Sequence, residues 1–366
     1  MRIVDRYILT QWVASLGLML VVAVGLLILE DLYRNFGLFV ERGVGLEQVA
    51  RYFAYRLPGF LPVILPLALL LSLLYSLRQW QRNNEMTALR CAGLGLWRIT
   101  WIFWAMGGVI SVLLVVLNAE VIPRTENQAD DILLRLRVEG QAEGQWDQHL
   151  TLHNRQEHRF WMIDVFDRSS GEVTGISIQE VRPGEEVRVI HARGGRYRAG
   201  EGVWELEGVR VGRVDARTGE IADPETHQSL LWAAPGESPE LMRLLARRPK
   251  DLSLLELEEV RRFLRAVGDP QVTRFDVHYH SIWAETLRAL IVVAIAIPFT
   301  VRGVRRNAMK GIAKSIGLFL LFFLLENLFM FLGERRILPP PLAVWSPSVL
   351  MLAIGLWFFH RANYPD

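Results

Sequence analysis

The sequence predicts an α-helical membrane protein with six transmembrane helices, three before and three after an inserted β-rich domain. Three observations predict it. Ile8–Leu29, Leu57–Leu77 and Ile99–Ala119 contain no Asp, Glu, Lys or Arg. A second, weaker set of apolar runs closes the chain, at about Ser281–Val301, Ile312–Leu332 and Leu342–Phe359. Between the two sets lie roughly 160 residues of short alternating stretches broken by glycines.

Each front span holds about 21 or 22 residues, enough to cross roughly 30 Å of hydrocarbon as a helix. The first follows two basic residues, Arg2 and Arg6, as a signal peptide would. Its apolar run is too long for that role, and Leu29-Glu30-Asp31-Leu32 is no small-residue cleavage site, so a retained helix is expected. The back spans carry Glu285, Arg288, Lys314 and Glu326, which blurs their limits.

Composition agrees with a chain divided between bilayer and water. Hydrophobic residues make up 51% and charged residues 22%, with a mean hydropathy of +0.21. A formal net charge of +2 gives no electrostatic case for a nucleic-acid partner. The single cysteine, Cys91, excludes an intrachain disulfide, so the inserted domain must rely on its own core.

With six spans, both ends of the chain lie on one side. That side gathers Arg2, Arg6, Arg78, Arg82, Arg90, Arg98, Arg302, Arg305, Arg306, Lys310, Lys314 and Arg361. The short loops opposite hold Arg34, Arg42, Arg51, Arg56, Arg335 and Arg336. Twelve against six over short loops assigns the first side to the cytoplasm, and the long insert, which does not vote, to the outside.

In the insert, from about Glu120 to Arg274, four stretches alternate with period two: Arg159–Phe166, Gly175–Val181, Val187–Ala192 and Val203–Val214. Ser170-Gly171, Pro183-Gly184, Gly194-Gly195 and Gly200-Glu-Gly202 read as breaks between them, and no helical period shows among them. A sandwich, a barrel or an open jelly roll all fit. Helix returns after Pro249: Ser253 and Glu256 have capping-box spacing, and Leu254, Leu257, Val260, Phe263 and Leu264 line one face of a connector.

Catalytic signatures are missing. No G-x-x-x-x-G-K-[ST] loop cradles phosphates, no H-E-x-x-H holds zinc, and no G-x-S-x-G presents a nucleophile. His278-x-His280 is too sparse for a metal site. The sequence makes no case for catalysis or for a cofactor.

A few polar features remain. Pro58, Pro62 and Pro66 share one helix face in the second span. Each removes a backbone donor, which makes either a locally kinked helix or a hinge or cavity wall. Glu326 and Asn327 sit deep in the fifth span, where an ionisable group pairs with a neighbouring helix or faces a wet interior. Lys314, near the end of its span, can snorkel. The loop Arg78–Arg98 contains a short helix-compatible run, Glu85–Cys91, stopped by Gly93 and Gly95. It is too short and polar to span, so it must lie at the membrane face, where a partner subunit could grip it.

Taken together, these segments resemble the LptF/LptG (YjgP/YjgQ) permeases of lipopolysaccharide export, over nearly the whole length. Val4-Asp5-Arg6-Tyr7 opens the chain as in that family. Asn84-Glu85-Met-Thr-Ala-Leu-Arg90-Cys-Ala92-Gly93 is similar to its E-x-x-x-x-x-x-[AS]-G coupling segment. Ser253-x-x-Glu256-Leu257 resembles the motif after its jelly roll. Ile297-Pro298-Phe299 and Leu338-Pro339-Pro340-x-Leu342-Ala343-x-Trp345-x-Pro347 resemble its last spans. The first motif and the Pro-Pro segment lean toward LptG.

The resemblance implies a periplasmic β-jellyroll over residues 120–280, with transmembrane helices at 1–119 and 281–366. It implies a heterodimer with a paralogous LptF- or LptG-type permease, a cytoplasmic ABC ATPase dimer of LptB type, and a periplasmic bridge of LptC/LptA type. Lipopolysaccharide would be the cargo, and ATP would be hydrolysed by the partner. Glu85, Arg90, Ala92 and Gly93 would then couple to the ATPase. Family members meet lipid phosphates with basic residues at the outer end of the first span. Here acids come first, in Leu29-Glu30-Asp31-Leu-Tyr-Arg34, so Arg34 and Arg42 are candidates by charge and place only. Two other readings fit the same layout: a permease or force-transmitting ABC subunit for another lipid or lipoprotein, and a non-transport membrane anchor with a periplasmic binding domain.

Overall fold

A computed structural model describes residues 3–137, 146–167, 170–181, 187–198, 200–214, 221–234, 236–302 and 308–363. Arg2, Arg305, Arg306 and the Pro183-Gly184 break lie outside the described residues. The chain forms two compact units, Met1–Asp130 with Asp276–Asp366, and Asp131–Phe275.

The first unit contains α1 (Ile3–Glu41), α2 (Leu46–Arg82), the short α3 (Glu85–Cys91) and α4 (Leu96–Val116). A π-helical turn, Leu117–Val121, joins α4 to α5 (Ile122–Arg137). After the insert come α8 (Val272–Arg302), α9 (Ala308–Glu334) and α10 (Pro340–Asn363). Among the described residues, six helices are long and apolar enough to cross a membrane. They run well past the uncharged windows of the sequence: the 39 residues of α1 extend about 58 Å, nearly twice the hydrocarbon thickness. Residues 120–137, expected within the β-rich insert, continue the third span as helix. Their amphipathic pattern of Ile122, Ala129 and charged positions carries no β alternation.

Leu69, Leu70, Leu73 and Leu77 of α2, Phe103 of α4, and Ala289, Val293 and Ala296 of α8 share one buried cluster. In a bilayer such packing depends on close backbone approach rather than on expulsion of water. Gly355 of α10 supplies one approach, since a Cβ there would come within 2.7 Å of the Ala294 Cβ in α8. By contrast α1 presents Val13, Leu18, Val21, Val22, Leu26 and Leu29 outward, an apolar surface suited to lipid or another helix.

The second unit is an antiparallel sheet whose six strands pair in chain order. They are β1 (Trp146–Asn154), β2 (Arg159–Asp167), β3 (Glu172–Glu180), β4 (Arg188–Arg198), β5 (Val203–Val214) and β6 (Ile221–Ala233). It is the jellyroll-like domain that the family resemblance implies, and one of the three β architectures the strand pattern allows. Alternation buries Trp161, Ile163, Ile176, Ile178, Ile190 and Leu206 on one face and leaves Met162 43% exposed on the other. Phe263 of α7 (Leu254–Val267) and Met242 of α6 (Pro239–Ala246) pack on that core. The Ser253–Glu256 capping box forms as its spacing predicts, and Gly268 ends α7 in the left-handed conformation.

Gly194-Gly195 is not a break: β4 continues through it to Arg198. A Cβ on Gly195 would stand 2.8 Å from the Glu205 carbonyl, so glycine is there for close approach between strands. One common row is left unpaired in every ladder of the sheet. Pairing stops at His149/Asp164, Asp164/Gly175, Gly175/Arg193, Arg193/Gly208 and Gly208/Gln228; between β4 and β5 the adjacent Ala192/Val209 is unpaired as well, and the β5–β6 ladder shifts again between Val211 and Arg213. On alternate strands of this row, His149, Gly175 and Gly208 have φ of 57°, 70° and 60°. The interruption is therefore a crease, a row of broken pairing that crosses all six strands and is built on left-handed residues in alternate ones.

Candidate functional site

Two polar regions of the membrane unit carry the candidate residues. The first surrounds α3. Asn84 adopts φ 58° and turns the chain into α3; Ala92 caps its end and Gly93, at φ 83°, reverses the chain toward α4. Met86 is buried beneath the helix, while Thr87, Ala88, Arg90, Cys91, Ala92 and Gly93 are exposed. The segment is thus a short helix seated by Met86 and half-buried Leu89, with its other side open.

The Glu85 carboxylate is not paired with Arg82 or Arg90, the local ion pairs its neighbours suggest. It accepts hydrogen bonds from the Tyr7 hydroxyl and from Asn83 Nδ2, both at 3.1 Å. Two residues earlier in α1, Asp5 is 5% exposed and accepts from Arg98 through both oxygens, at 2.9 and 3.1 Å, and from Trp101 Nε1 at 3.2 Å. Further along α1, Gln11 accepts from Trp80 Nε1 at 2.7 Å and Trp12 Nε1 donates to Ser72 at 3.1 Å.

The second region lies among α2, α4, α8 and α9. Arg288 of α8 donates to Glu326 of α9 at 2.9 Å and pairs with Glu285, one turn back, at 3.1 Å. Asn118, in the π turn, donates to the other oxygen of Glu285 at 2.6 Å. The same arginine reaches the carbonyl of Pro62 at 3.4 Å. That carbonyl is the acceptor that Pro66, four residues on, cannot serve because it has no N–H. Pro58, Pro62 and Pro66 all lie inside continuous α2, and Pro66 is fully packed. One Glu326 oxygen is buried with no hydrogen-bond partner among the described residues.

At the other end of α1, the acids before Arg34 have structural partners. Asp31 is buried and accepts from the Tyr52 hydroxyl at 2.6 Å, joining α1 to α2. Glu30 pairs with exposed Arg34, one turn along the helix. Arg42 is exposed and has a partner of its own. The sequence reading named Glu326 but missed its partner; the three-residue spacing of Glu285 and Arg288 on one helix face was the available signal. It also missed Asp5 and Tyr7 as contacts, because their partners are 93 and 78 residues away.

In the β unit, a polar trough of about 1020 Å³ lies over β3–β6. Arg196 is paired with Glu172 and Arg198 with Glu205, so the charges at one end of the trough satisfy one another. A buried cluster sits at the start of α6. Glu237 is 1% exposed and accepts from Arg159 at 2.8 Å, Trp161 Nε1 at 2.6 Å and Asn154. Its carbonyl accepts from Trp204 Nε1 at 2.9 Å.

Six membrane-length helices around an inserted antiparallel sheet, with a short helix exposed between the second and third spans, define a multi-pass membrane protein of permease type. The model of the lipopolysaccharide export system permease family, LptF/LptG, matches residues 6–361, nearly the whole chain. The chain belongs to that family, and is a multi-pass inner-membrane protein of lipopolysaccharide export. No curated protein matches it significantly.

Proposed function

We propose that the chain is the non-catalytic membrane subunit of an ABC transporter that lifts lipopolysaccharide from the outer leaflet of the inner membrane to a periplasmic bridge. It pairs with a paralogous permease, and an LptB-type ATPase dimer on the cytoplasmic side hydrolyses the ATP. The sheet faces the periplasm and hands the lipid to an LptC/LptA-type partner, and both ends of the chain are cytoplasmic. The observation that carries this reading is α3, a short helix anchored below by Met86 and open above, in a chain whose family match spans both membrane halves and the insert.

In this reading, Arg90 and the Ala92-Gly93 turn meet the ATPase directly, and Glu85 transmits its movement. A carboxylate at that position gives charge-assisted hydrogen bonds, about twice as strong as neutral ones. Arg34 exchanges Glu30 for a lipid phosphate; an exposed pair one helical turn apart is worth only about 0.3–0.5 kcal/mol, so the exchange costs little. Pro58, Pro62 and Pro66 with Glu326 form a hinge in α2 and its latch.

Purifying the protein from its native membrane and identifying what accompanies it tests the assignment. An ABC ATPase, a second permease and bound lipopolysaccharide by mass spectrometry are expected. A different bound lipid would move the chain to another cargo, and the absence of any ATPase would leave only an anchoring role.

A further inference from the structure

Polar contacts on α1 are concentrated at its two ends. From Asp5 to Trp12, four side chains on α1 bond to three other elements: Asp5 to α4, Tyr7 to α3, and Gln11 and Trp12 to α2. From Val13 to Leu29 the helix is apolar and largely exposed, until Asp31 meets Tyr52. The bonds nearest α3 are placed at both of its flanks. Tyr7 holds Glu85 at the first residue of α3, and Asp5 holds Arg98 and Trp101 in the first turns of α4, just beyond the Gly93–Gly95 link.

We infer that the first turns of α1 belong to the coupling module, with Asp5 and Tyr7 as positioning residues that make α1 and α3 move as one body. This rests on the coupling role proposed for α3. It adds a route: Tyr7 joins α1 directly to α3, and Asp5 joins α1 to the start of α4, which the short Ala92–Gly95 link ties to α3, so a displacement of α3 and this link by the ATPase either drags α1 or breaks these bonds. Breaking them is unfavourable for a physical reason. Asp5 is buried, so a carboxylate stripped of Arg98 and Trp101 would be left without compensation. Between Val13 and Leu29, α1 makes no side-chain hydrogen bond to another element among the described residues; Leu16, Leu20 and Leu27 pack on the buried cluster and the other side is open, so motion entering at Asp5–Trp12 is delivered along the helix to the surface that faces lipid or a partner helix.

Spin labels at Thr10 and Thr87, both exposed, report the distance between α1 and α3 in the complex with its ATPase, in a Cys91→Ser background. The distance is expected to stay the same without nucleotide and with ATP plus vanadate. A distance that changes between those states in the otherwise unmodified complex overturns the inference. Tyr7→Phe, which removes one hydroxyl, is the second arm. Lipid released per ATP should fall about threefold or more at normal ATPase occupancy, and adding Tyr7→Phe to Glu85→Ala should lower it no further than Glu85→Ala alone, because the hydroxyl then has no carboxylate to hold. If Glu85→Ala uncouples export while Tyr7→Phe and Asp5→Asn both keep the normal ratio, α1 is not part of the module. If Glu85→Ala itself leaves the ratio unchanged, the coupling role of α3 fails, and this inference with it.

Discussion

Arg288 donates to the carbonyl oxygen of Pro62, 226 residues earlier in the chain, where Pro66 has taken away the N–H that a helix would supply. One guanidinium therefore does two things. It balances Glu285 and Glu326, and it serves a backbone acceptor that bilayer hydrocarbon could not satisfy.

The two roles separate in a mutant cycle. Arg288→Met should destabilise the protein by about 3–5 kcal/mol, because two buried carboxylates lose their counter-charge. Adding Glu285→Gln and Glu326→Gln should recover most of that. Pro66→Ala restores the helical N–H, and in that background the cost of Arg288→Met should fall by about 1 kcal/mol. Unfolding in mixed detergent micelles measures all of these; strict additivity of Pro66→Ala and Arg288→Met would show that the Pro62 contact contributes nothing.

Glu237 should be the most sensitive acid in the β unit. Its replacement by Ala leaves buried Arg159 only the longer contacts to Glu180 and Glu157, at 3.4 and 3.9 Å, and removes acceptors from Trp161 and Asn154. A loss of about 3–5 kcal/mol is expected, with Glu237→Gln distinctly milder. Hydrogen exchange in the full chain locates the effect: protection should drop in β1, β2 and the start of α6, and leave the membrane helices unchanged.

The crease makes a graded prediction for glycines. Gly175→Ala should cost most, since its φ is 70° and the new Cβ would collide with Asp164. Gly208→Ala, at φ 60°, should cost about 1–2 kcal/mol from backbone strain, plus pressure on Arg193. Gly200→Ala, with open space around it, should be near neutral. Thermal melts of the three variants give the order, and equal melting temperatures would remove the crease as a constraint.

Much of this architecture was legible because the two environments impose different periods. A charge-free run long enough to cross hydrocarbon has few soluble explanations, and alternation such as Trp161–Ile163 against Met162 marks a half-buried strand. What escaped was governed by tertiary contact. Trp146–Asn154 and Ile221–Ala233 are edge strands, rich in polar residues and, in β6, containing Pro224, which an edge tolerates and a sequence pattern reads as loop. Gly194-Gly195 looked like punctuation because its reason, a neighbouring carbonyl, belongs to another strand. The short helix Glu85–Cys91 was visible as a helix-compatible run stopped by Gly93 and Gly95. Its attachment to Tyr7 was not, since one long-range hydrogen bond leaves no periodic trace.

Orientation can be read from accessibility. Cys91 is exposed at the end of α3, and Glu201 lies in the exposed turn before β5. A membrane-impermeant maleimide applied to intact spheroplasts should miss Cys91 and label Glu201→Cys in a Cys91→Ser background. The reverse pattern would invert the topology and put α3 out of reach of a cytoplasmic ATPase.

The central claim is that ATP hydrolysed elsewhere drives lipopolysaccharide export through α3. Reconstituting the purified complex in proteoliposomes and measuring lipopolysaccharide released per ATP, with native Glu85 and with Glu85→Ala, tests it most directly. Loss of a charge-assisted hydrogen bond of about 1.5–3 kcal/mol predicts a fall of roughly tenfold or more, with the permease still inserted and the ATPase still bound. Export at the native rate by Glu85→Ala, at normal ATPase occupancy, would contradict the account.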